Sequence, residues 1–142
     1  EEHPEFPWLG RKWWMTGYRD PEAKKVVMAF YDLGLGIPKT LPVKWDIRSI
    51  IGKGCDDGEL IKLATEVRRS RTVQGGYGLN DLKTIIDNNC KHGRLSIISG
   101  KGIYIYERLN QVNTGVLSNH IEGTMIIWVL DDLEGMSNDK KN

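Results

Sequence analysis

Apolar positions along the chain fall into blocks of two different periods. Residues 25 to 32, KVVMAFYD, are β-branched and aromatic, apolar enough for a strand buried on both faces. Residues 57 to 68 follow another rule: Leu60, Leu63, Ala64 and Val67 recur at i, i+3, i+4 and i+7, the spacing of an amphipathic helix. Asp56 and Glu59 stand at capping-box spacing where that helix begins, and Arg68, Arg69 and Arg71 suit the negative pole where it ends. After the breaker Gly75-Gly76, a second helix is predicted from about Gly78 to Asn88 or Asn89, with Leu79, Leu82, Ile85 and Ile86 on its buried face.

The rest reads as strands. Residues 12 to 18 predict a short one that stops at the turn signal Arg19-Asp20-Pro21. Residues 94 to 99 and 103 to 108 flank Gly100-Lys101-Gly102 and predict a hairpin. Residues 109 to 122 read as a polar connection, and 124 to 130 as the last strand. Residues 39 to 55, with Pro42, Trp45 and the pair Ile50-Ile51, fit no single pattern. Strands and helices in this order predict an α/β (α+β) two-layer sandwich, with a mixed, largely antiparallel sheet and helices on one face. One domain over residues 1 to 142 is expected, with an aromatic segment over 1 to 24 and a frayed tail over 131 to 142.

Composition narrows the class. The chain is 39% hydrophobic and 27% charged, the balance of a globular protein. Its net charge of +1 removes the main argument for nucleic acid or an acidic membrane surface as partner. Two cysteines, Cys55 and Cys90, make no disulfide framework and no metal-ligand spacing, which fits a reduced, cytoplasmic protein. No apolar run is long enough to span a bilayer and no signal peptide is visible, so membrane insertion is not expected. Trp8, Trp13, Trp14 and Tyr18 crowd the first segment, a pattern more often of core or edge-strand packing than of a ligand platform.

Chemistry concentrates at two glycine-rich turns. Asp32-Leu33-Gly34-Leu35-Gly36-Ile37-Pro38 puts a carboxylate at a strand end, followed by backbone that can pass close to a flat ligand. An adenine amino group would be a suitable donor to that carboxylate. The same residues also describe a plain glycine turn capped by Asp. Gly75-Gly76-Tyr77-Gly78-Leu79 opens a helix, where free N–H groups and the positive pole favour phosphate. It is neither a Walker A loop nor a dinucleotide fingerprint.

Together and in this order, the two turns resemble the GHKL ATPases, the class that includes gyrase, heat-shock chaperones, sensor kinases and MutL. Their first glycine box, Asp-x-Gly-x-Gly-Ile-Pro, is matched by residues 32 to 38, and their Gly-x-Gly-Leu box by Gly76, Gly78 and Leu79. Their Gly-Thr pair opening the final strand is matched by Gly123 and Thr124, and the hairpin with Ser99-Gly100 at its turn is similar to that of the sensor kinases. The resemblance covers residues 25 to 130 and implies the Bergerat fold and an adenine nucleotide, ATP or ADP.

By that resemblance, Asp32 would accept from the adenine amino group, with Thr124 helping through a water, while Gly34 and Gly36 leave room for the base next to Ile37. Gly76, Tyr77, Gly78 and Leu79 would wrap the phosphates. Ser70, Arg71 and Thr72 would belong to the mobile lid, with Arg71 neutralising phosphate charge; a solvated helix end is the plainer reading of these arginines. The family also carries an Asn that holds Mg²⁺ on an earlier helix, and no Asn precedes Asn80 here. Glu2-His3 is similar to the end of that helix, so the resemblance implies a truncated form, with Mg²⁺ expected only if residues upstream supply the ligand. No catalytic residue and no metal ligand is assigned, and His3, His92 and His120 fit no phosphoacceptor motif. Three readings stay open: a nucleotide-binding domain of an ATPase or protein kinase; a protein-interaction module that keeps the fold without turnover and docks through Trp8, Trp13 and Trp14; and an unrelated α+β enzyme.

Overall fold

The computed structural model describes residues 12–45, 54–66, 78–89 and 91–131. Its elements are β1 (Trp13–Asp20), β2 (Lys25–Asp32), α1 (Ile37–Trp45), α2 (Asp57–Glu66), α3 (Gly78–Asn89), β3 (Arg94–Glu107) and β4 (Gln111–Asp131). The strands form a sheet in the order β1-β2-β4-β3, and every pairing is antiparallel. The expected two-layer α+β sandwich is therefore present, with a purely antiparallel sheet among the described residues.

β1 and β2 are joined by residues 21 to 24. Asp20 shapes this turn by accepting from the N–H groups of Glu22 and Ala23 at 3.0 and 2.9 Å. β1 thus runs two residues further than the Arg19-Asp20-Pro21 signal suggests, because Asp20 closes the strand and caps the turn at once. β2 is only half-buried along most of its length, a correction to the expectation of burial on both faces.

Two further expectations need correction. Residues 109 to 122 are not a loop: β4 starts at Gln111, and its polar first half pairs with the second half of β3. Its side chains there are mostly exposed, so the apolar alternation that marks a strand is missing. Residues 39 to 45, unassigned from sequence, belong to α1, which starts at Ile37 inside the expected glycine turn. Pro38 sits in its first turn, where no N–H is needed, but Pro42 lies further in and masks the helix.

β3 needs a closer look. It is one unbroken run of extended backbone, yet Arg94 Nη2 lies 2.8 Å from Glu107 Oε1. Drawn straight, fourteen residues would separate them by about 40 Å. The run therefore folds back on itself where the register shifts, between Ser99 and Gly102, with Gly100 at φ 63°. This is the reversal expected at Gly100-Lys101-Gly102. β4 wraps the whole hairpin, pairing with residues 102 to 107 through its first half and with 94 to 99 through its second.

The core lies between this sheet and the helices. Ile61 of α2 and Ile86 of α3 pack with Leu95, Ile97, Tyr104 and Tyr106 of β3 and Leu130 of β4, all buried. A second cluster joins Leu41 of α1 to Leu60 and Ala64 of α2. Each fully buried aliphatic side chain contributes about 1.5–3 kcal/mol. α2 begins with the expected capping box: Glu59 N donates to Asp56 Oδ1 at 2.9 Å and Asp56 N to Glu59 Oε2 at 3.2 Å. Asp57 then ties the helix to the hairpin tip by accepting from Lys101 N at 2.8 Å. Lys83 of α3 lies over the rings of Tyr104 and Tyr106, 5.6 and 5.3 Å from their centroids.

Candidate functional site

Residues directly opposite each other on paired strands point to the same side of a sheet. Asp32 of β2 faces Thr124 of β4, which faces Ser99 of β3. The next rows on that side, Phe30–Ile126–Ile97 and Met28–Trp128–Leu95, carry the buried core. Asp32, Thr124 and Ser99 therefore form a polar row on the helix-covered side, at the end of the sheet where β2 passes into α1.

Ser99 organises this row. Its buried hydroxyl accepts from Ile37 N at 2.9 Å and donates to Gly123 O at 2.7 Å. Its single proton is thereby used, so in the 3.3 Å contact with Thr124 the threonine is the donor. Lone pairs on Thr124 Oγ1 remain available. One bond thus anchors the start of α1 and the other holds the entry to the second half of β4.

Backbone geometry brings these elements together. Gly123, at φ 77°, lies so close to β2 that an added β-carbon would collide with the carbonyl oxygen of Asp32. Gly36, at φ 81°, turns the chain into α1 against Ser99 and Gly123. Thr40 closes the first turn of that helix, its N and Oγ1 donating to Gly36 O at 3.3 and 2.9 Å.

Asp32 uses one carboxylate oxygen for the turn: Oδ1 accepts from Gly34 N at 2.8 Å. This is the bond of a simple Asp-capped glycine turn. The other oxygen has no hydrogen-bond partner among the described residues, so the side chain serves the turn and still offers a free acceptor. Beside it, Tyr31 donates to Glu122 O at 2.8 Å. Partial burial, with the negative charges of Asp32 and Glu122 nearby, holds this phenol above its ordinary range. Glu122 also meets Lys39 at 3.6 Å and His120 at 3.1 Å.

Of the residues singled out from sequence, Asp32, Gly34, Gly36, Ile37 and Thr124 come together here. Gly78 is the first residue of α3, and Leu79 packs against both core clusters. Arg71, Gly76 and Tyr77, with Ser70 and Thr72, lie outside the described residues. Sequence reasoning passed over Ser99 as a site residue, since one serine before a glycine turn carries no signal until its strand partner is known. Among the described residues no group of three or more His, Cys, Asp and Glu is placed to hold a metal ion.

No known protein family, curated protein or solved structure matches the chain. Among the described residues no helix is long and apolar enough to cross a membrane.

Proposed function

We propose that the chain binds an adenine nucleotide, ATP or ADP, as a nucleotide-binding domain of the GHKL, histidine-kinase-like type. The observation that carries this reading is the row Asp32–Thr124–Ser99, which combines an unengaged carboxylate oxygen with free hydroxyl lone pairs on the helix side of the sheet. An exocyclic amino group needs such an acceptor, and a bridging water needs the hydroxyl beside it. The start of α3 would serve the phosphates, through backbone N–H groups and the positive pole of the helix. Arg71, Gly76 and Tyr77 complete the phosphate side in this reading. Free Cys55 suits a reducing, cytoplasmic setting.

Calorimetric titration with ADP, with and without Mg²⁺, tests the proposal. Saturable binding at one site that adenosine competes for supports it, and the lack of any saturable heat rejects it.

One observation favours a second reading, a protein-interaction module that retains the fold. β1 closes one side of the described sheet with Trp13, Met15 and Tyr18 more than 60% exposed and Trp14 46% exposed. Each tryptophan has one aromatic neighbour on β2: Trp13 stacks on Phe30 at 5.7 Å and Trp14 on Tyr31 at 6.0 Å. Exposed aromatics of this density mark contact surfaces. Loss of a partner on Trp13→Ala and Trp14→Ala, with ADP binding unchanged, would establish docking there.

A further inference from the structure

The far end of the sheet carries a second concavity, unrelated to the row at Asp32. A cavity of about 520 Å³ opens where β2 and the β3 hairpin begin and β4 ends, and Lys25, Lys91, His92, Arg94 and Arg108 surround it. Arg94 and Val129 belong to the row behind Leu95 and Trp128, so this hollow lies on the side of the sheet away from the helices. Lys25 and Asp32 mark opposite ends of β2, about 23 Å apart along an extended strand.

Charge around the hollow is unbalanced. Its lining holds four fixed cations against one carboxylate, Glu107. That carboxylate is already engaged, accepting from Arg94 Nε at 3.0 Å and meeting Nη2 at 2.8 Å. Asp131, beside the hollow, accepts from His92 N at 2.6 Å. The side chains of Lys25, Lys91 and Arg108 make no hydrogen bond or ion pair among the described residues, and the two carboxylates opposite Lys25, on Asp20 and Asp131, are taken up by backbone N–H groups. Three unpaired cations around one concavity repel each other, and an anion of more than unit charge relieves them together. Lysine and arginine side by side suit the oxygens of a phosphate group.

The walls are not only charged. Val129 lines the floor, and Leu109 stands at the rim, 80% exposed and with φ 65°. Leu109 and Asn110 both take left-handed backbone at this turn, and Leu109 there presents an apolar side chain to the cavity. The volume falls in the range of small-molecule sites.

We infer that this cavity binds a small phosphate monoester, its phosphate among Lys25, Lys91 and Arg108 and its apolar body against Leu109 and Val129. The site is distinct from the proposed nucleotide site and does not rest on it. Phenyl phosphate is a suitable probe, followed by amide chemical shifts of the full chain. Saturable shifts confined to residues 91 to 94, 107 to 111 and the start of β2 are expected. Replacing Lys25 and Arg108 together by glutamine weakens binding by about tenfold or more. Lys25→Arg with Arg108→Lys retains it, and Lys101→Gln, an exposed cation elsewhere, leaves it unchanged. Asp32→Asn also leaves it unchanged, which separates this site from nucleotide binding. Both substituted positions are exposed, and unaltered shifts outside the cavity verify the fold. Shifts spread over all exposed lysines and arginines, no shifts at all, or a double glutamine variant that binds like the parent would each overturn the inference.

Discussion

Ser99 donates a hydrogen bond to the carbonyl oxygen of Gly123 at 2.7 Å while accepting from Ile37 N at 2.9 Å, so one buried hydroxyl fastens β3, β4 and α1 together. Ser99→Ala removes both bonds and leaves a donor and an acceptor unpaired in a closed space. The expected loss is about 2–4 kcal/mol of stability. A lower urea midpoint, and faster exchange of the Ile37 amide than the global loss explains, are the readouts. A variant within half a kcal/mol of the parent would contradict this role.

Asp32→Asn addresses the proposed nucleotide site. An asparagine oxygen can still accept from Gly34 N, so the turn and the stability are retained. The free acceptor, however, becomes an amide donor facing another donor. ADP affinity falls by about tenfold or more if the carboxylate reads the adenine amino group. Unchanged affinity in calorimetry would remove Asp32 from the site.

Gly123→Ala places a β-carbon against the carbonyl oxygen of Asp32, at a backbone angle of φ 77° that side chains rarely adopt. Neither the collision nor the angle can relax without moving β4 away from β2. We expect a loss of about 2–4 kcal/mol, measured by chemical denaturation. The same substitution at Gly54, where the added carbon meets nothing, serves as a control for strained backbone alone.

Tyr106 gives a pH prediction. Burial and its hydrogen bonds to Asp87, at 2.8 and 2.9 Å, push the phenol up to about 12. The unfolded chain releases this proton near pH 10, so the group's contribution is complete below pH 10 and is lost as pH rises through 12. About 1–3 kcal/mol should disappear over that interval in the parent and be absent from the slope of Tyr106→Phe. Parallel stability curves for the two proteins between pH 9 and 12 would show that the assignment is mistaken.

The sequence carried the two helices with clean periodicity. Asp56 and Glu59 announced α2, and the glycine breaker placed the start of α3. It concealed α1, because Pro42 inside a helix reads as an interruption. The first half of β4 was hidden for the opposite reason: residues such as Asn113, Thr114, Ser118 and Asn119 lie exposed, so no core imprints its alternation on them. At the candidate site, the glycines and Asp32 were visible as a local motif. That Asp32 and Thr124 share one site came only from the family resemblance and from no local pattern, because only tertiary register brings two residues so far apart in the chain face to face. Ser99 became visible only through its bonds.

The central position of β4 bears on how the protein is made. On the ribosome, β2 emerges roughly a hundred residues before the partner that will cover its inner edge. At ordinary elongation speeds this leaves one edge of the β1–β2 hairpin open for about 5–20 s. That edge stays open to mistaken strand pairing until β4 slides in between β2 and β3.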